Sequence, residues 1–464
     1  MTPPNVIIFL ADDLGYGDLG IYGNPDLKTP HLDRLANEGI RLTQHYSGSP
    51  LCAPARASLL TGRYNHRTGA LSVESNRGLD RISLRETTIA EVFKRAGYAT
   101  GMIGKWHNGL YDMRYHPNNR GFDEFCGFLN GGMFYWDWII EYNGQAQWSD
   151  GRYLTDVFTT EAVQFIDRHH KDPFFLYIAY NAPHSPLQAP QADIKPYADS
   201  DKYNLAVSTL YGMIQRMDAG IGLILNKLDT LGIADNTIIL FTSDNGPWMG
   251  NEQVNAETYS ARRFNGPFRG MKQDVLEGGI RVPAILKWND GLPQGLECHE
   301  MLHFTDWLPT LADACGIDYE SRLPLDGINQ LAILQGDKRN IPAQRFWQFN
   351  RYDPVLHCNA AMRDGRWKLY FPRIPEAMVK LQADTDDYRD NFHRPHFSKD
   401  IANPLVEREL SAPGEPELYD IENDPYESNN LASHLPERVR LMQNALENWF
   451  EAVERDRREL PQYR

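Results

Sequence analysis

The sequence predicts an α/β protein: a large, mostly parallel sheet flanked by helices, followed by a smaller C-terminal antiparallel sheet with a helix packed on it. Three observations carry this. Short apolar runs alternate with helical patterns through the first two-thirds of the 464 residues, the arrangement that builds parallel sheets. The runs are compact and apolar, as strands covered by helices on both faces require. After about Arg345 the texture changes to hairpin and turn signals.

In chain order, Asn5–Leu10 is the first strand and Pro54–Thr61 the first clear helix, with Pro54 suited to its opening turn. Thr88–Ala96 is a helix with Thr87 or Thr88 before its first turn and Gly97 just past its last. Strand Ala99–Ile103, helix Thr155–His169, strand Phe174–Tyr180, helix Asn204–Leu231 and strands Thr237–Thr242 and Arg281–Trp288 follow. Helix Thr305–Cys315 is closed by Gly316. Ala360–Arg363 and Arg366–Phe371 flank Asp364-Gly365, a tight-hairpin signal. A polar stretch from Pro375 to Pro416, a turn-rich Leu418–Ser428 and an amphipathic helix near Glu437–Val453 complete the chain. The expected division is a main domain over 1–345 and a C-terminal subdomain over 346–464, without internal repeats.

Hydrophobic residues make up 42% and charged residues 23%, ordinary values for a chain that buries a core. The formal net charge of -15 argues against nucleic acid as a partner, so an anionic substrate must be drawn in by a local group of cations or a metal. No apolar run reaches membrane-span length. Met1 to Pro4 lead straight into the first strand without a signal-peptide pattern. Two locations stay open: cytoplasmic, or periplasmic or secreted if an export leader was trimmed and Met1 added. The five cysteines, Cys52, Cys126, Cys298, Cys315 and Cys358, form no C-x-x-C pair and suggest neither a disulfide framework nor a zinc site.

Chemistry gathers at predicted strand ends. Asp12 and Asp13 follow the first strand, where open α/β sheets place ligands. Asp244 and Asn245 follow Thr237–Thr242 in the same way. If both strands share one sheet, the four oxygen-bearing side chains repel one another without a cation, and oxygen ligation favours Ca²⁺, with Mg²⁺ as alternative, over zinc. Gly15-Tyr16-Gly17-Asp18-Leu19-Gly20 matches a dinucleotide-binding pattern, but the loop runs on to Pro25 and Pro30 instead of opening a helix, and that reading is rejected. Cys52 sits at a predicted helix N-terminus, which stabilises anions, and Arg56 lies one turn on along the same face. An ordinary active thiol fits that geometry; so does a small buried cysteine.

Cys52-Ala53-Pro54-Ala55-Arg56, followed by Leu59-Leu60-Thr61-Gly62-Arg63, resembles the C-x-P-x-R signature and L-L-T-G-R extension of the sulfatase family, which is arylsulfatase-like and belongs to the alkaline phosphatase superfamily. Gly104-Lys105-Trp106-His107 resembles the family's G-K-W-H segment, and Asn181-Ala182-Pro183-His184 its P-H segment. Gly270-Met271-Lys272 and Glu277-Gly278-Gly279 through Arg281-Val282-Pro283 resemble G-x-K and E-G-G-x-R-V-P. Asp364-Gly365-Arg366-Trp367-Lys368-Leu369 and Glu417-Leu418-Tyr419-Asp420 extend the likeness into the last quarter. Departures are small: Ala53 and Ala55 stand where many members carry Ser or Thr, and Asn108 where many carry Leu. Arg120 and Asp306 look like family framework.

The resemblance implies a catalytic, alkaline-phosphatase-like unit over 1–345. It implies that a formylglycine-generating or sulfatase-maturing enzyme oxidises Cys52 to formylglycine, an aldehyde that hydrates to a geminal diol. Asp12, Asp13, Asp244 and Asn245 would hold the cation, with residue 52 completing its shell. One diol hydroxyl would attack sulfur and give a sulfated hemiacetal. Lys105, Lys272 and His184 would bind sulfate oxygens, with His184 or Lys272 protonating the leaving oxygen. His107 would take a proton from the second hydroxyl to expel sulfate, and Arg56 would orient residue 52. The expected substrate is a sulfated small molecule or saccharide, with carbohydrate favoured. Phe134-Tyr135-Trp136-Asp137-Trp138 beside Arg262, Arg263 and Arg269 suits a sugar platform, or equally a packed hydrophobic hairpin. Rival readings are a formylglycine-dependent phosphonate monoester or phosphodiester hydrolase, and a non-catalytic sulfated-glycan-binding relative.

Overall fold

A computed structural model of the chain describes residues 3–337, 344–393, 401 and 406–460. Within them ten strands form one sheet. Its spatial order is Leu296–His303, Ile40–Tyr46, Ala284–Lys287, Thr237–Ser243, Asn5–Ala11, Phe174–Ala179, Ala99–Lys105, Glu124–Phe128, Ile139–Tyr142 and Gln145–Trp148. The five strands from Thr237–Ser243 to Glu124–Phe128 run parallel. Ala284–Lys287 is antiparallel to both neighbours, and Ile139–Tyr142 turns back from Glu124–Phe128.

The first strand shows why the sheet is a double-sided layer. All seven residues are buried: Val6, Ile8 and Leu10 enter one core, and Ile7, Phe9 and Ala11 the other. Helices Cys52–Thr61, Ile89–Arg95 and Trp307–Ala314 cover the first face, and Leu154–His169 and Leu205–Leu231 the second. Leu10 pairs with both Ala179 and Thr242, so the loops after these three strands emerge together at one edge. That register creates the site.

Several boundaries differ from the sequence expectation for local reasons. Strand Arg281–Trp288 shortens to Ala284–Lys287 because Arg281 ends a four-residue helix, Glu277–Ile280. The helix expected at Thr305–Cys315 splits into a 3-10 turn Phe304–Asp306, with a capping box from His303 and Asp306, and the α-helix Trp307–Ala314. The strands expected at Ala360–Arg363 and Arg366–Phe371 are Ala360–Asp364 and Trp367–Phe371, because Asp364 pairs with Trp367 and leaves Gly365 and Arg366 as the turn. Of these two only Gly365 has positive φ, the requirement at the first central position of a II′ turn. The Gly15–Gly20 loop packs on the Asn265–Gly266 backbone, a Cβ at Gly17 falling 2.6 Å from the Gly266 nitrogen, and the next α-helix starts only at Pro30.

The C-terminal sheet is antiparallel, in the order Gln344–Gln348, Ala360–Asp364, Trp367–Phe371, Glu417–Asp420. Ala360, Met362, Leu369 and Leu418 pack against Met442, Leu446 and Val453 of the last helix, Pro436–Arg458. The opposite face packs Trp347, Ala361 and Tyr370 against Tyr46, Leu51 and Val275 of the main body. The polar stretch 375–416 contains a helix, Gln382–Asp390; its residues 394–400 and 402–405, like residues 1–2 at the start of the chain, lie outside the described residues. No helix among the described residues is long and apolar enough to cross a membrane.

Two sheets meet over a buried ion cluster. Lys368 contacts Glu277 at 3.0 Å and Glu427 at 2.8 Å, and Tyr46 donates its hydroxyl to Glu277 at 2.6 Å. Burial pushes the Glu427 carboxyl up to about 7 even with Lys368 beside it. Lys368→Met leaves two buried carboxylates facing each other, and the expected cost is about 3–5 kcal/mol. An acid whose folded-state pKa is raised favours the folded state below its ordinary value, and that stabilisation is lost as pH rises. The deficit is therefore larger at pH 8 than at pH 5, readable by denaturant unfolding at both. A deficit independent of pH would show that Lys368 does not balance these acids.

Candidate active site

The parallel register delivers the side chains that the sequence singles out. Asp12 and Asp13 follow the first strand, Asp244 and Asn245 follow Thr237–Ser243, Lys105 ends Ala99–Lys105 with His107 two residues on, and His184 lies in the loop after Phe174–Ala179. The strands approach closely here. A Cβ on Gly104 would stand 2.0 Å from the Ala179 carbonyl oxygen, which is the physical reason for the glycine before Lys105.

Cys52 is the first residue of helix Cys52–Thr61, whose ten residues are all buried. Its Sγ lies 3.5 Å from Asp12 Oδ1 and 3.9 Å from Asp13 Oδ1. Asn108 ties this helix in place, donating Nδ2 to the carbonyls of Ala53 and Asp80 at 3.0 and 3.1 Å. The C-terminal sheet braces the approach to Cys52: Trp347 Nε1 donates to the Ser47 carbonyl at 2.7 Å, and Leu51 packs beneath it.

Three carboxylates face three cations. Lys105 Nζ is 2.6 Å from Asp12 Oδ2, and Lys272 Nζ is 2.7 Å from Asp13 Oδ2. Arg56 holds Asp244 through Nε at 3.0 Å and Nη2 at 2.9 Å, and donates Nη1 to the Lys105 carbonyl at 2.8 Å. The guanidinium therefore turns to Asp244 and, at 3.9 Å, to Asp12, fixing the carboxylates around residue 52 rather than hydrogen-bonding its Sγ. His184 Nε2 stands 3.8 Å from Asp13 Oδ2 while its Nδ1 bonds the Ser185 carbonyl at 2.6 Å.

The electrostatics follow from burial and pairing. Burial works to raise Asp13, but Lys272 and His184 outweigh it and hold the carboxyl well below the usual range. Burial, then Asp12, pushes Asp244 up to about 6. Burial pushes His184 down to about 3 and His107 well below the ordinary histidine value, so both imidazoles are neutral. Burial also drives the Cys52 thiol far above its ordinary range; the helix N-terminus does not make it a thiolate.

The oxygen donors fit a hard divalent cation. Asp12, Asp13, Cys52 and His184 each offer a ligand atom, all within 4.8 Å of one another. Asn245 donates Nδ2 to Asp13 Oδ1 at 2.7 Å, and its own Oδ1 is buried without a partner among the described residues, an oxygen that could serve as a ligand. Asp244 offers its oxygens to the Asp13 amide and to Arg56. His184 thus joins the cluster that the sequence reading built from Asp12, Asp13, Asp244, Asn245 and Cys52.

These groups open into a pocket of about 230 Å³ lined by Cys52, His107, His184 and Lys272. Sequence reasoning missed its outer walls: Trp248 and Glu252 after the Asp244 strand, and Arg351, Lys380 and Tyr388 from the C-terminal part. None of the aromatic and basic residues weighed as a sugar platform is in that lining, although Phe134 packs on Phe392 beside the lining residue Tyr388. Tyr135 and Trp138 are core residues, with the Tyr135 hydroxyl donating to the Asn181 and His184 carbonyls. Arg263 is buried against Asp18, and Arg269 bonds Tyr419 and the Glu427 carbonyl. Arg120 and Asp306 are framework: Arg120 binds the carbonyls of Ile82 and Glu86, and Asp306 accepts from His303, Ile328 and Arg345.

The family model described as Sulfatase matches residues 4–317. Steryl-sulfatase of Mus musculus is 30% identical over 96% of this chain and 81% of its own. N-acetylgalactosamine-6-sulfatase of Homo sapiens is 35% identical over 72% of this chain and 66% of its own. The solved structure of Ps i-CgsB in complex with k-i-k-neocarrahexaose superposes with a TM-score of 0.80 at 30% identity, covering 97% of this chain and 93% of that one.

Proposed function

This chain belongs to the sulfatase family and hydrolyses sulfate esters, and we propose that it does so on a sulfated saccharide, through the pocket around residue 52. The observation that carries the site assignment is the convergence of Cys52, Asp12, Asp13, Lys105, His184 and Lys272 from stretches of chain far apart in sequence. The saccharide reading draws support from the likeness to N-acetylgalactosamine-6-sulfatase and to the neocarrahexaose complex. In this reading residues 1–345 are the catalytic unit, and 346–464 a subdomain that braces residue 52 and supplies one pocket wall.

The family implies a formylglycine at position 52, made by a maturing enzyme, and a divalent cation; in this reading the oxygen donors make that ion Ca²⁺, with Mg²⁺ as the alternative. The first supplies a hydrated aldehyde as nucleophile, and the second positive charge that eases its deprotonation and screens the sulfate. Asp12, Asp13, Asp244 and Asn245 would hold the ion. The chain's own residues do the rest. Lys105 and Lys272 place positive charge where the equatorial sulfate oxygens gather. Lys272, kept charged by Asp13, is the proton donor ready for the leaving oxygen. His184 gives its Nδ1–H to Ser185, so its Nε2 becomes a donor only after protonation. His107, neutral and without a partner on either ring nitrogen among the described residues, is the base that removes a proton from residue 52 to release sulfate.

A panel of defined sulfated saccharides, an aryl sulfate and paired phosphate diesters tests this. The expected result is sulfate release from at least one saccharide with kcat/KM above the aryl sulfate and the diesters. Chelation is expected to remove activity and Ca²⁺ to restore it more fully than Mg²⁺. Faster phosphodiester turnover would instead make the chain a phosphohydrolase on the same scaffold.

A further inference from the structure

The pocket holds cations that the sulfate does not need. Arg351 follows strand Gln344–Gln348, Lys380 precedes helix Gln382–Asp390, and both line the pocket that contains Cys52 and Lys272. One carboxylate serves them both. Arg351 Nη1 lies 3.2 Å from Glu74 Oε1, and Lys380 Nζ stands 4.0 Å from the same oxygen, beyond hydrogen-bond reach.

The remaining valences stay open. Arg351 Nη1 also reaches Ser72 Oγ at 3.3 Å, its Nε is buried without a partner, and its Nη2 has no hydrogen bond among the described residues. The neighbouring acids are engaged: Asp384 takes Arg77 at 2.9 Å and the Tyr352 hydroxyl at 2.6 Å, and Asp387 takes the Tyr111 hydroxyl at 2.7 Å. Lys380 sits 4.9 Å from the Tyr388 ring centroid, within cation–π range. Burial lowers its pKa, the signature of an ammonium stripped of water without full compensation. Arg351 already holds Glu74 directly, so the Lys380 ammonium, out of hydrogen-bond reach of that carboxylate, keeps its donors for a group that enters the pocket.

We propose that Arg351 and Lys380 form a second anion subsite in this pocket, so that the preferred saccharide carries, besides the sulfate that is cleaved, another anionic substituent on the same sugar or its immediate neighbour. The inference rests on the saccharide reading above and narrows it. A carboxylate or a second sulfate satisfies the same chemistry: a planar guanidinium and an ammonium meeting an oxyanion. The pocket is of a size for about one sugar unit, which keeps the two anionic groups close.

The test uses the matured enzyme and three substrates with one scissile sulfate in common: the sugar monosulfate, the same sugar with an added carboxylate, and the same sugar with a second sulfate. Wild type is expected to favour one dianionic substrate by roughly 10-fold or more in kcat/KM. Lys380→Met is expected to erase that preference, raising KM for the dianionic substrate with little change in kcat. Arg351→Gln is the second variant, read in the same ratio. Which dianionic substrate wins identifies the source of the charge. Equal turnover of all three by wild type, or a variant that slows all three alike, overturns the subsite while leaving the saccharide reading intact. Release from aryl sulfate but from no saccharide overturns both.

Discussion

Cys52→Ser is expected to lower kcat/KM for sulfate ester hydrolysis by at least about 10⁴-fold in a protein that still unfolds cooperatively. The cysteine as encoded is not the nucleophile. Its thiol is buried, two carboxylate oxygens stand 3.5 and 3.9 Å away, and burial drives its pKa far from any working pH. The oxidised residue offers two hydroxyls, one to attack sulfur and one to release it. Serine offers the first alone. The variant is therefore expected to liberate up to one equivalent of alcohol and then stop, without releasing sulfate, which a rapid-quench burst measurement separates from simple inactivity. Mass spectrometry of the wild-type peptide containing residue 52 should show the aldehyde. Full turnover by protein whose residue 52 is entirely unmodified cysteine would sink the reading.

How much of this was legible in the sequence depends on whether a residue lies in a periodic element or outside one. The strand ends were visible because strands Asn5–Ala11 and Thr237–Ser243 are built on apolar runs, Val6–Ala11 and Ile238–Phe241, and end at Asp12 and Asp244. Strands Ile40–Tyr46 and Leu296–His303 were not, because they lie at or near the sheet margin with only part of each strand buried, and so carry neither a long apolar run nor a strict alternation. The catalytic cluster was legible from its motifs, yet the partners of those motifs were not. Glu277 in E-G-G and Lys368 beside the hairpin are 91 residues apart in sequence and form one ion pair, which explains why both belong to the same pattern. The outer pocket was illegible for a different reason. Arg351, Lys380 and Tyr388 come from polar, irregular chain with no period to flag them, whereas the aromatic run at Phe134–Trp138 drew attention and sent only Tyr135 and Trp138 into the core. Composition points to where apolar surface is concentrated; the walls of a charged pocket depend on where loops return.

His107→Ala should separate activity from stability more sharply than other changes in the site. Both ring nitrogens of His107 are buried without a hydrogen-bond partner among the described residues, and the residue holds φ at 58°, a backbone conformation that costs a non-glycine residue free energy. The ring is tightly enclosed: a Cβ on Gly131 would fall 2.6 Å from its Cε1 and 2.6 Å from Tyr388 Cε2. The imidazole of such a residue contributes no hydrogen bond to the fold among the described residues, which fits chemistry held ready. Truncation is expected to lower kcat about 10²–10⁴-fold, the usual range for a lost general base, while shifting the unfolding midpoint less than Lys368→Met does. His45 provides the control. It is also buried, but its Nε2 accepts from Trp307 Nε1 at 2.9 Å, so His45→Ala should cost stability and leave kcat of the folded fraction near wild type. If His107→Ala instead loses stability like the His45 variant while its folded fraction keeps normal kcat, His107 is a packing residue and the release of sulfate needs another base.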